Sequence, residues 1–462
     1  MTGVKVAVRP AVAYAPEIVE QCLGEPALPL DRSAQILAPC ITVDGRIHRP
    51  TTYFLYQHCA SRPNTTTAIR IASDLAGWLR YLCNVRGLPL FEDYRDPVLV
   101  ATEPDFAAYY RLRQYGTPEE VLTPEGWARA SSAIKRLYEY LQRQYQHPAP
   151  FEIIKITGKS TWQGTTIAGY SPRTRTTGSA GTPVTPEFAQ LLLLGALRID
   201  LNGTQDEYLG ADRDHALIAL GLASGLRRNN LANITIYELP PVSPLDITTM
   251  GVADRITKGD AGGDTLVFNH YLPAIWNYVE GPRAELTART QYRPKRPLTI
   301  VKATSKAVHY LDPDSSDVIV ARWNLCDEDL RRRLVTEQGA SPVLFLNEFT
   351  GDPLAYRSLQ HSIEGAREFT QSRLNADFPE HFRLHDLRHT YAVHLTVAIY
   401  RGVVASAVSE ARREDWTVDR VTGAVELVKS SLGHASEAST KLYTQAAHRF
   451  LNIPLEHFLG RP

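Results

Sequence analysis

Apolar residues recur at helical spacing through most of the first third of the chain. One predicted helix begins after Asn64 and Thr65 and ends at Gly87 and Pro89. Another begins at Thr123-Pro124-Glu125, which supplies a cap, a proline at the first helical position and an early acid. Its apolar face is predicted to hold Trp127, Ile134, Tyr138 and Leu141. These patterns predict a compact helical domain over residues 46–150, after a proline-punctuated N-terminal arm over residues 1–45.

The second half of the chain mixes helical and strand-like patterns. Thr185-Pro186-Glu187 starts a further apolar helix, and a buried helix is predicted from about Asp212 to Ala223. Two strand-like segments, 252–257 and 265–269, flank the glycine-rich residues 258–263, which indicate a hairpin tip. The whole pattern predicts a mainly α fold with a small antiparallel β-sheet.

The domain plan has four parts. The arm and the helical domain are followed by residues 151–182, which are rich in Thr, Ser and Gly and are predicted to form a basic linker. A second domain is predicted over residues 183–462. Segments near 282–337 and 402–425 fit its helical pattern poorly, and we interpret them as insertions.

The distribution of charge along the chain is more informative than its total. Lys and Arg total 50, as do Asp and Glu, so the net charge of zero does not favour a nucleic-acid partner. Residues 153–186 and 286–311, however, contain basic residues and no acid. Such stretches could follow a phosphate backbone, although solvated loops have the same composition. The basic residues of the first stretch are Lys155, Lys159, Arg173 and Arg175.

The cysteines and the apolar runs indicate the cellular compartment in which the protein is expected. The five cysteines are scattered without paired spacing, so neither a disulfide framework nor a zinc site is predicted and a reducing cytoplasm is expected. Pro10, Pro16 and Glu17 break any signal-peptide pattern. The leucine-rich run at 191–197 is too short to span a bilayer, so no membrane partner is expected.

The C-terminal part carries an unusual set of polar side chains. His385 and Arg388 stand three apart, which places them on one face of a predicted helix. His434 begins a later predicted helix, and Tyr443 follows nine residues further on. A tyrosine among cationic donors suits attack on a phosphodiester. Arg227, just past a buried helix, could face the same cleft or be an ordinary surface arginine.

Three motifs resemble those of the tyrosine recombinase (phage integrase) family. They are Ser224-Gly225-Leu226-Arg227, His385-Asp386-Leu387-Arg388-His389-Thr390, and Leu432-Gly433-His434 with Thr440 and Tyr443. Their order and spacing agree with the family over about residues 183–447, and residues 46–150 are more loosely similar to its helical core-binding domain. The chain has Asn230 where the family usually has an acid, which suggests a weaker buttress for Arg227.

The resemblance implies a role for each residue of the site. Arg227 and Arg388 would clamp the non-bridging oxygens, and Tyr443 would be the nucleophile that forms a 3′-phosphotyrosyl link. His385 would accept the phenol proton or orient the phenol, and Lys258 would protonate the leaving 5′-hydroxyl. His434 would donate to a non-bridging oxygen. Because bond energy is conserved through the covalent link, no metal or other cofactor is expected.

The resemblance also implies partners. Double-stranded DNA would be the substrate, held by a homo-tetramer on two sites, with accessory proteins as further candidates and a cytoplasmic, nucleoid-associated location. The implied function is a site-specific recombinase or integrase of a mobile element. Two alternatives stay open, a type IB topoisomerase-like enzyme that relaxes DNA and an inactive DNA-binding protein of the same fold. His385 favours the recombinase over the topoisomerase.

Overall fold

The computed structural model describes most of the chain in two compact units, Met1–Thr177 and Gly178–Pro462. The described residues are 3–15, 18–24, 35–61, 65–88, 96–157, 163–170, 181–257, 262–313, 315–410, 427–432, 443 and 445–461. Within them the structure is mainly α with small, mostly antiparallel sheets, which confirms the predicted fold class.

The first unit packs a three-stranded antiparallel sheet against helices. Its elements are β1 (Val6–Tyr14), β2 (Ile36–Val43), β3 (Arg46–Ile47), α1 (Arg49–Ser61), α2 (Thr65–Arg80), α3 (Pro97–Val100), α4 (Glu103–Tyr115), α5 (Pro124–Tyr145), β4 (Ile153–Thr157) and β5 (Gln163–Ile167), with short π-helical segments at Val19–Leu23 and Tyr81–Val85. The region interpreted as an arm therefore contains β1 and β2. Tyr14 and Ile41 from these strands are buried in the same core as Trp78 and Trp127.

Helix α5 follows its sequence pattern closely. The Thr123 hydroxyl accepts a hydrogen bond from the Gly126 amide and so caps the first turn. The predicted apolar face is confirmed, because Trp127, Ile134, Tyr138 and Leu141 are all buried. Burial of each such side chain contributes about 1.5–3 kcal/mol, which explains why this helix can organise the unit.

A β-hairpin occupies the start of the region interpreted as a linker. Strands β4 and β5 pair antiparallel, with Ile153 opposite Ile167 and Lys155 opposite Thr165. Ile167 is buried in the core of the first unit. Of the four basic residues singled out in this region, Lys155 lies in β4, while Lys159, Arg173 and Arg175 lie outside the described residues.

The second unit is packed around the helices Ala211–Ser224 and Leu384–Glu410. Its elements are α6 (Pro186–Leu197), α7 (Ala211–Ser224), α8 (Arg228–Asn233), β6 (Ile247–Val252), β7 (Gly263–Phe268), α9 (Leu272–Glu280), α10 (Pro282–Arg289), β8 (Leu298–Ala303), β9 (Ala307–Leu311), β10 (Val318–Arg322), α11 (Glu328–Arg333), β11 (Leu334–Val335), α12 (Ser358–Phe369), α13 (Leu384–Glu410) and α14 (Leu455–Phe458). Every residue of α7 from Ala216 to Ser224 is buried, as expected for a helix that is apolar on all sides.

The two segments interpreted as insertions differ in structure. Residues 282–337 contain α10, the sheet β10-β9-β8-β11 and α11, with a small core of their own. The fully buried Arg331 pairs with Glu238 at 2.6 Å and ties this sheet to the segment after α8. At the other segment, α13 continues to Glu410, and residues 411–426 lie outside the described part.

The described residues contain neither a membrane span nor a metal site. No helix among them is long and apolar enough to cross a bilayer. In the same residues, no three His, Cys, Asp or Glu side chains are grouped so that they could hold a metal ion. Cys40, Cys59, Cys83 and Cys326 are buried free thiols.

Candidate active site

The first motif forms the turn between α7 and α8. Gly225 ends α7 in the left-handed conformation, with φ of +60°, and its amide donates to the Gly221 carbonyl. A Cβ at this glycine would lie 2.2 Å from a ring carbon of Tyr391, so glycine is required both for the turn and for the close packing. Arg227 follows in an extended conformation and precedes the first turn of α8.

We expect Gly225→Ala to destabilise the second unit. The left-handed conformation costs alanine about 1–2 kcal/mol, and displacing the Tyr391 ring adds about 1–3 kcal/mol. Urea unfolding followed by circular dichroism measures the change. Gly402→Ala is the matched control, because Gly402 lies within α13 and a Cβ there meets no described atom outside its own helix within 4 Å. That control should be neutral or stabilising by up to about 1 kcal/mol, and equal small effects at both positions would contradict the packing argument.

Arg388 joins the first motif to the third. Its side chain projects from α13 and is 5% exposed. Nη1 donates to the Gly225 carbonyl at 2.6 Å, and Nη2 donates to the Leu432 carbonyl. Burial and the nearby Arg227 lower the pKa of Arg388 to about 10, so it stays protonated at neutral pH. Because both acceptors are neutral carbonyls, the positive charge remains available to an anion.

A buried polar network fixes the backbone around this arginine. The Tyr391 hydroxyl donates to the Leu266 carbonyl at 2.6 Å and lies 2.7 Å from the Ser431 hydroxyl. The Thr265 hydroxyl donates to the Ser224 carbonyl at 3.0 Å, and the Leu266 amide donates to Ser431. The end of α7, strand β7 and the residue before Leu432 are therefore held together.

The β6–β7 hairpin borders the same cleft. The cleft is lined by Arg227, Asn230, Thr257, Gly262, Arg388 and Ser431, among others. Lys258 itself lies outside the described residues, but its described neighbours Thr257 and Gly262 are on the cleft wall. The prediction of a strand at 252–257 is wrong. Strand β6 ends at Val252, and Asp254–Ile256 forms a 3₁₀ turn that is closed by the Thr257 amide donating to the Asp254 carbonyl at 2.8 Å. The Asp254 carboxylate also accepts a hydrogen bond from the Gly262 amide.

Asn230 contacts this hairpin. It is buried, and its amide donates to the Ile256 carbonyl at 3.1 Å and to the Thr257 hydroxyl at 2.9 Å. An acceptor-only carboxylate could not make these two donations. The residue interpreted as a weaker buttress for Arg227 is thus engaged with the residues that lead directly into Lys258.

Tyr443 lies in the same cluster as the two arginines. Its side chain is 5% exposed. Burial raises the pKa of the phenol, while the positive charges of Arg388 and Arg227 act to lower it. The phenol oxygen lies 2.8 Å from Nδ1 of His389, a residue to which the sequence analysis assigned no role. The available signal was its spacing, since His389 stands one helical turn beyond His385.

His385 lies at the exposed side of this cluster. Its ring centroid is 4.4 Å from that of His389, with the two rings nearly perpendicular. Partial desolvation and the charge of Arg388 lower the pKa of His385. The structure thus brings Arg227, His385, Arg388 and Tyr443 together and adds His389. His434, like Lys258, lies outside the described residues.

Comparison with known proteins gives structural likeness only. No protein-family model and no curated protein match the chain. Among solved structures, it is similar to the XerH site-specific recombinase bound to palindromic difH substrate in a post-cleavage complex, at 15% identity and a TM-score of 0.49, covering 87% of this chain and 83% of that one. It is also similar to the Tn1549 transposon integrase in complex with transposon right end DNA, at 12% identity and a TM-score of 0.45, covering 87% and 99%.

A third similar structure is a lambda integrase dimer bound to a core site, at 13% identity and a TM-score of 0.42, covering 85% of this chain and 92% of that one. Likenesses with identities and TM-scores this low carry no argument for an activity. The function is therefore inferred from the residues of the chain itself, around Arg388 and Tyr443.

Proposed function

We propose that this protein is a site-specific DNA recombinase of the tyrosine type, which cleaves and rejoins DNA through a 3′-phosphotyrosyl intermediate. One observation carries the proposal. A buried tyrosine lies within the electrostatic reach of two buried or half-buried arginines, one of which bridges the Gly225 and Leu432 carbonyls. This arrangement places a potential nucleophile beside two cationic groups that could bind one phosphate.

The arginines would stabilise the charge that develops on phosphorus. A phosphodiester carries one negative charge, and its pentacoordinate transition state carries more. Arg227 and Arg388 can each donate two N–H groups to non-bridging oxygens, and both stay protonated at neutral pH. His385, at the exposed side of the cluster, would donate to the same oxygens or help to orient the phenol, and His434 would be a further donor.

The leaving group needs a proton from the other side of the scissile bond. We assign this role to Lys258, because Thr257 and Gly262, the described residues nearest to it in the chain, line the cleft with Arg227. The Asn230 amide donates to Ile256 and Thr257, the two residues just before Lys258. These hydrogen bonds would keep the lysine at a fixed distance from the leaving oxygen. The site would thus protonate the departing 5′-oxygen without a metal ion or another cofactor.

Joining two duplexes requires four strand cuts, which is why we propose a homo-tetramer on two DNA sites. Most of the affinity would come from phosphate contacts and would weaken with salt. Lys155, Lys159, Arg173 and Arg175 are the proposed backbone contacts from the first unit. A mobile-element integrase, in the cytoplasm with the nucleoid and assisted by accessory proteins, is the biological role we propose.

Two assays on the unmodified protein test the function. The first incubates it with nicked duplexes made from the DNA that flanks its own gene and seeks a protein–DNA adduct that survives denaturation. The second compares recombination between two such sites with relaxation of a supercoiled plasmid. We expect an adduct and two-site recombination. Relaxation without recombination would favour a type IB topoisomerase-like enzyme, and salt-sensitive binding without any adduct would indicate an inactive DNA-binding protein.

A further inference from the structure

The hydrogen bond between Tyr443 and His389 raises the question of which histidine takes the phenol proton. The phenol oxygen and Nδ1 of His389 are 2.8 Å apart, within the range for direct proton transfer. Both side chains are nearly buried, at 5% and 9% exposure. This contact therefore has the geometry expected of a nucleophile and its base.

The ring of His389 is held in place by the first described residues of the second unit. A Cβ at Gly181 would lie 2.1 Å from Cδ2 of His389, so the glycine backbone packs directly against the imidazole. The same segment is bound along α13, because the Thr182 amide donates to Asp386 at 3.0 Å and the Val184 amide donates to Thr390 at 3.2 Å. The ring edge that carries Nδ1 is left facing Tyr443.

The protonation state of His389 suits an acceptor. Burial, and then the neighbouring His385, lower its pKa to about 4. From its own helix Asp386 opposes this shift and Arg388 adds to it, while Tyr443 faces the ring from the C-terminal segment and residues 181–184 carry no charge. At neutral pH the imidazole is therefore neutral and one ring nitrogen has a free lone pair.

Substrate binding would make transfer to this nitrogen favourable. Before DNA binds, the proton stays on the phenol, whose ordinary pKa of about 10 lies far above that of His389. A phosphodiester beside Arg227 and Arg388 brings a negative charge, which favours the imidazolium form. As the oxygen bonds to phosphorus, the phenolic proton also becomes much more acidic. Transfer of the phenol proton to His389 would then accompany attack of the phenol oxygen on phosphorus.

We propose that His389, rather than His385, is the general base for Tyr443, an inference that depends on the proposed recombinase function. As the bond between the phenol oxygen and phosphorus forms, the O–H bond breaks and the proton passes to Nδ1. The bond from phosphorus to the 5′-oxygen breaks, and that oxygen takes a proton from the general acid, which we assign to Lys258. In rejoining, a 5′-hydroxyl attacks phosphorus and gives its proton to the deprotonated Lys258. The bond from phosphorus to the phenol oxygen breaks, and His389 returns its proton to the departing phenolate.

Two substitutions separate a base from a residue that only orients the phenol. Asparagine can place an amide near the position of Nδ1 but cannot accept a proton, and alanine removes both functions. We expect His389→Asn and His389→Ala each to slow single-turnover adduct formation on nicked duplexes by about 100-fold or more. Circular dichroism and thermal melting would show that both variants fold. A wild-type rate in His389→Asn would overturn the proposal.

A modified substrate separates the base from the acid. In a duplex with sulfur in place of the bridging 5′-oxygen, the leaving group needs no proton. Lys258→Ala should recover on this duplex, whereas the His389 variants should remain slow. Recovery of the His389 variants would instead place His389 on the leaving-group side and overturn the assignment.

The pH dependence gives an independent readout. A base must be unprotonated, so the wild-type rate should rise with pH through the pKa of His389 in the DNA complex. This rise should vanish in His389→Asn but persist in His385→Ala and in the control His361→Ala, which removes an exposed histidine.

Faster cleavage in His389→Ala would mean that the hydrogen bond restrains Tyr443, against the proposal. No adduct from the unmodified protein would remove the proposed function and this inference with it.

Discussion

Replacing Tyr443 with phenylalanine is expected to abolish the covalent protein–DNA adduct while leaving DNA binding nearly unchanged. The substitution removes one oxygen, the proposed nucleophile, and keeps the ring that packs in the core of the second unit. Binding should persist because phosphate contacts along the duplex, rather than this phenol, supply most of the affinity. Denaturing gels with nicked duplexes measure the adduct, and mobility shifts at fixed salt measure binding.

Tyr356→Phe is a suitable control for the loss of a hydroxyl near the site. The ring of Tyr356 lies under the guanidinium of Arg228, at 4.3 Å, and that arginine is adjacent to Arg227. We expect this variant to form the adduct at the wild-type rate. If Tyr443→Phe retains the adduct, the nucleophile is another residue, which mass spectrometry of the DNA-linked peptide would identify.

Local patterns in the sequence were sufficient to predict several of the helices in both cores. The spacing of Trp127, Ile134, Tyr138 and Leu141 placed all four on one buried face, and the apolar run ending at Gly225 is the buried helix α7. Such helices are predictable because their periodicity, caps and stops lie within a few residues of one another.

Elements that depend on distant partners were harder to predict. The proline-punctuated N-terminal region gave no strand pattern, yet it contains β1 and β2. Pro10 lies in β1 where the pairing register shifts between Arg9 and Val12. At such an irregularity a strand can accept a residue without an N–H group, so the proline does not prevent pairing. The pairing of β1 with β2 depends on residues about thirty positions away, which a local window does not include.

In the candidate site, too, some features could be predicted from the sequence and others depend on distant parts of the chain. The resemblance of three motifs to those of tyrosine recombinases implied that Arg227, His385, Arg388 and Tyr443 belong to one site, and the structure places them in one cluster. The resemblance could not show that His389 rather than His385 would contact the phenol, because that depends on how a segment 54 residues further along the chain docks on α13. Likewise, only the folded hairpin shows that the Asn230 amide binds Ile256 and Thr257.

Arg388 is the residue whose replacement should affect both the fold and the chemistry. Arg388→Lys keeps a positive charge, but one ammonium group cannot donate to the Gly225 carbonyl, the Leu432 carbonyl and two phosphate oxygens in fixed directions. We expect adduct formation to fall by about 100-fold or more, the usual cost of one lost donor to a developing oxyanion. Arg388→Ala should fall further, since both charge and donors are removed.

The stability of these variants tests the bridging role of Arg388 separately from its catalytic role. Arg388→Ala leaves two buried carbonyls without their donor, at a cost of about 1–3 kcal/mol each, so its urea transition should shift markedly to lower concentration. Arg289→Lys, at an exposed arginine of the same unit, should change neither the rate nor the transition. Arg388→Lys with a wild-type cleavage rate would show that a point charge suffices, and the bridge between the two motifs would then have only a structural role.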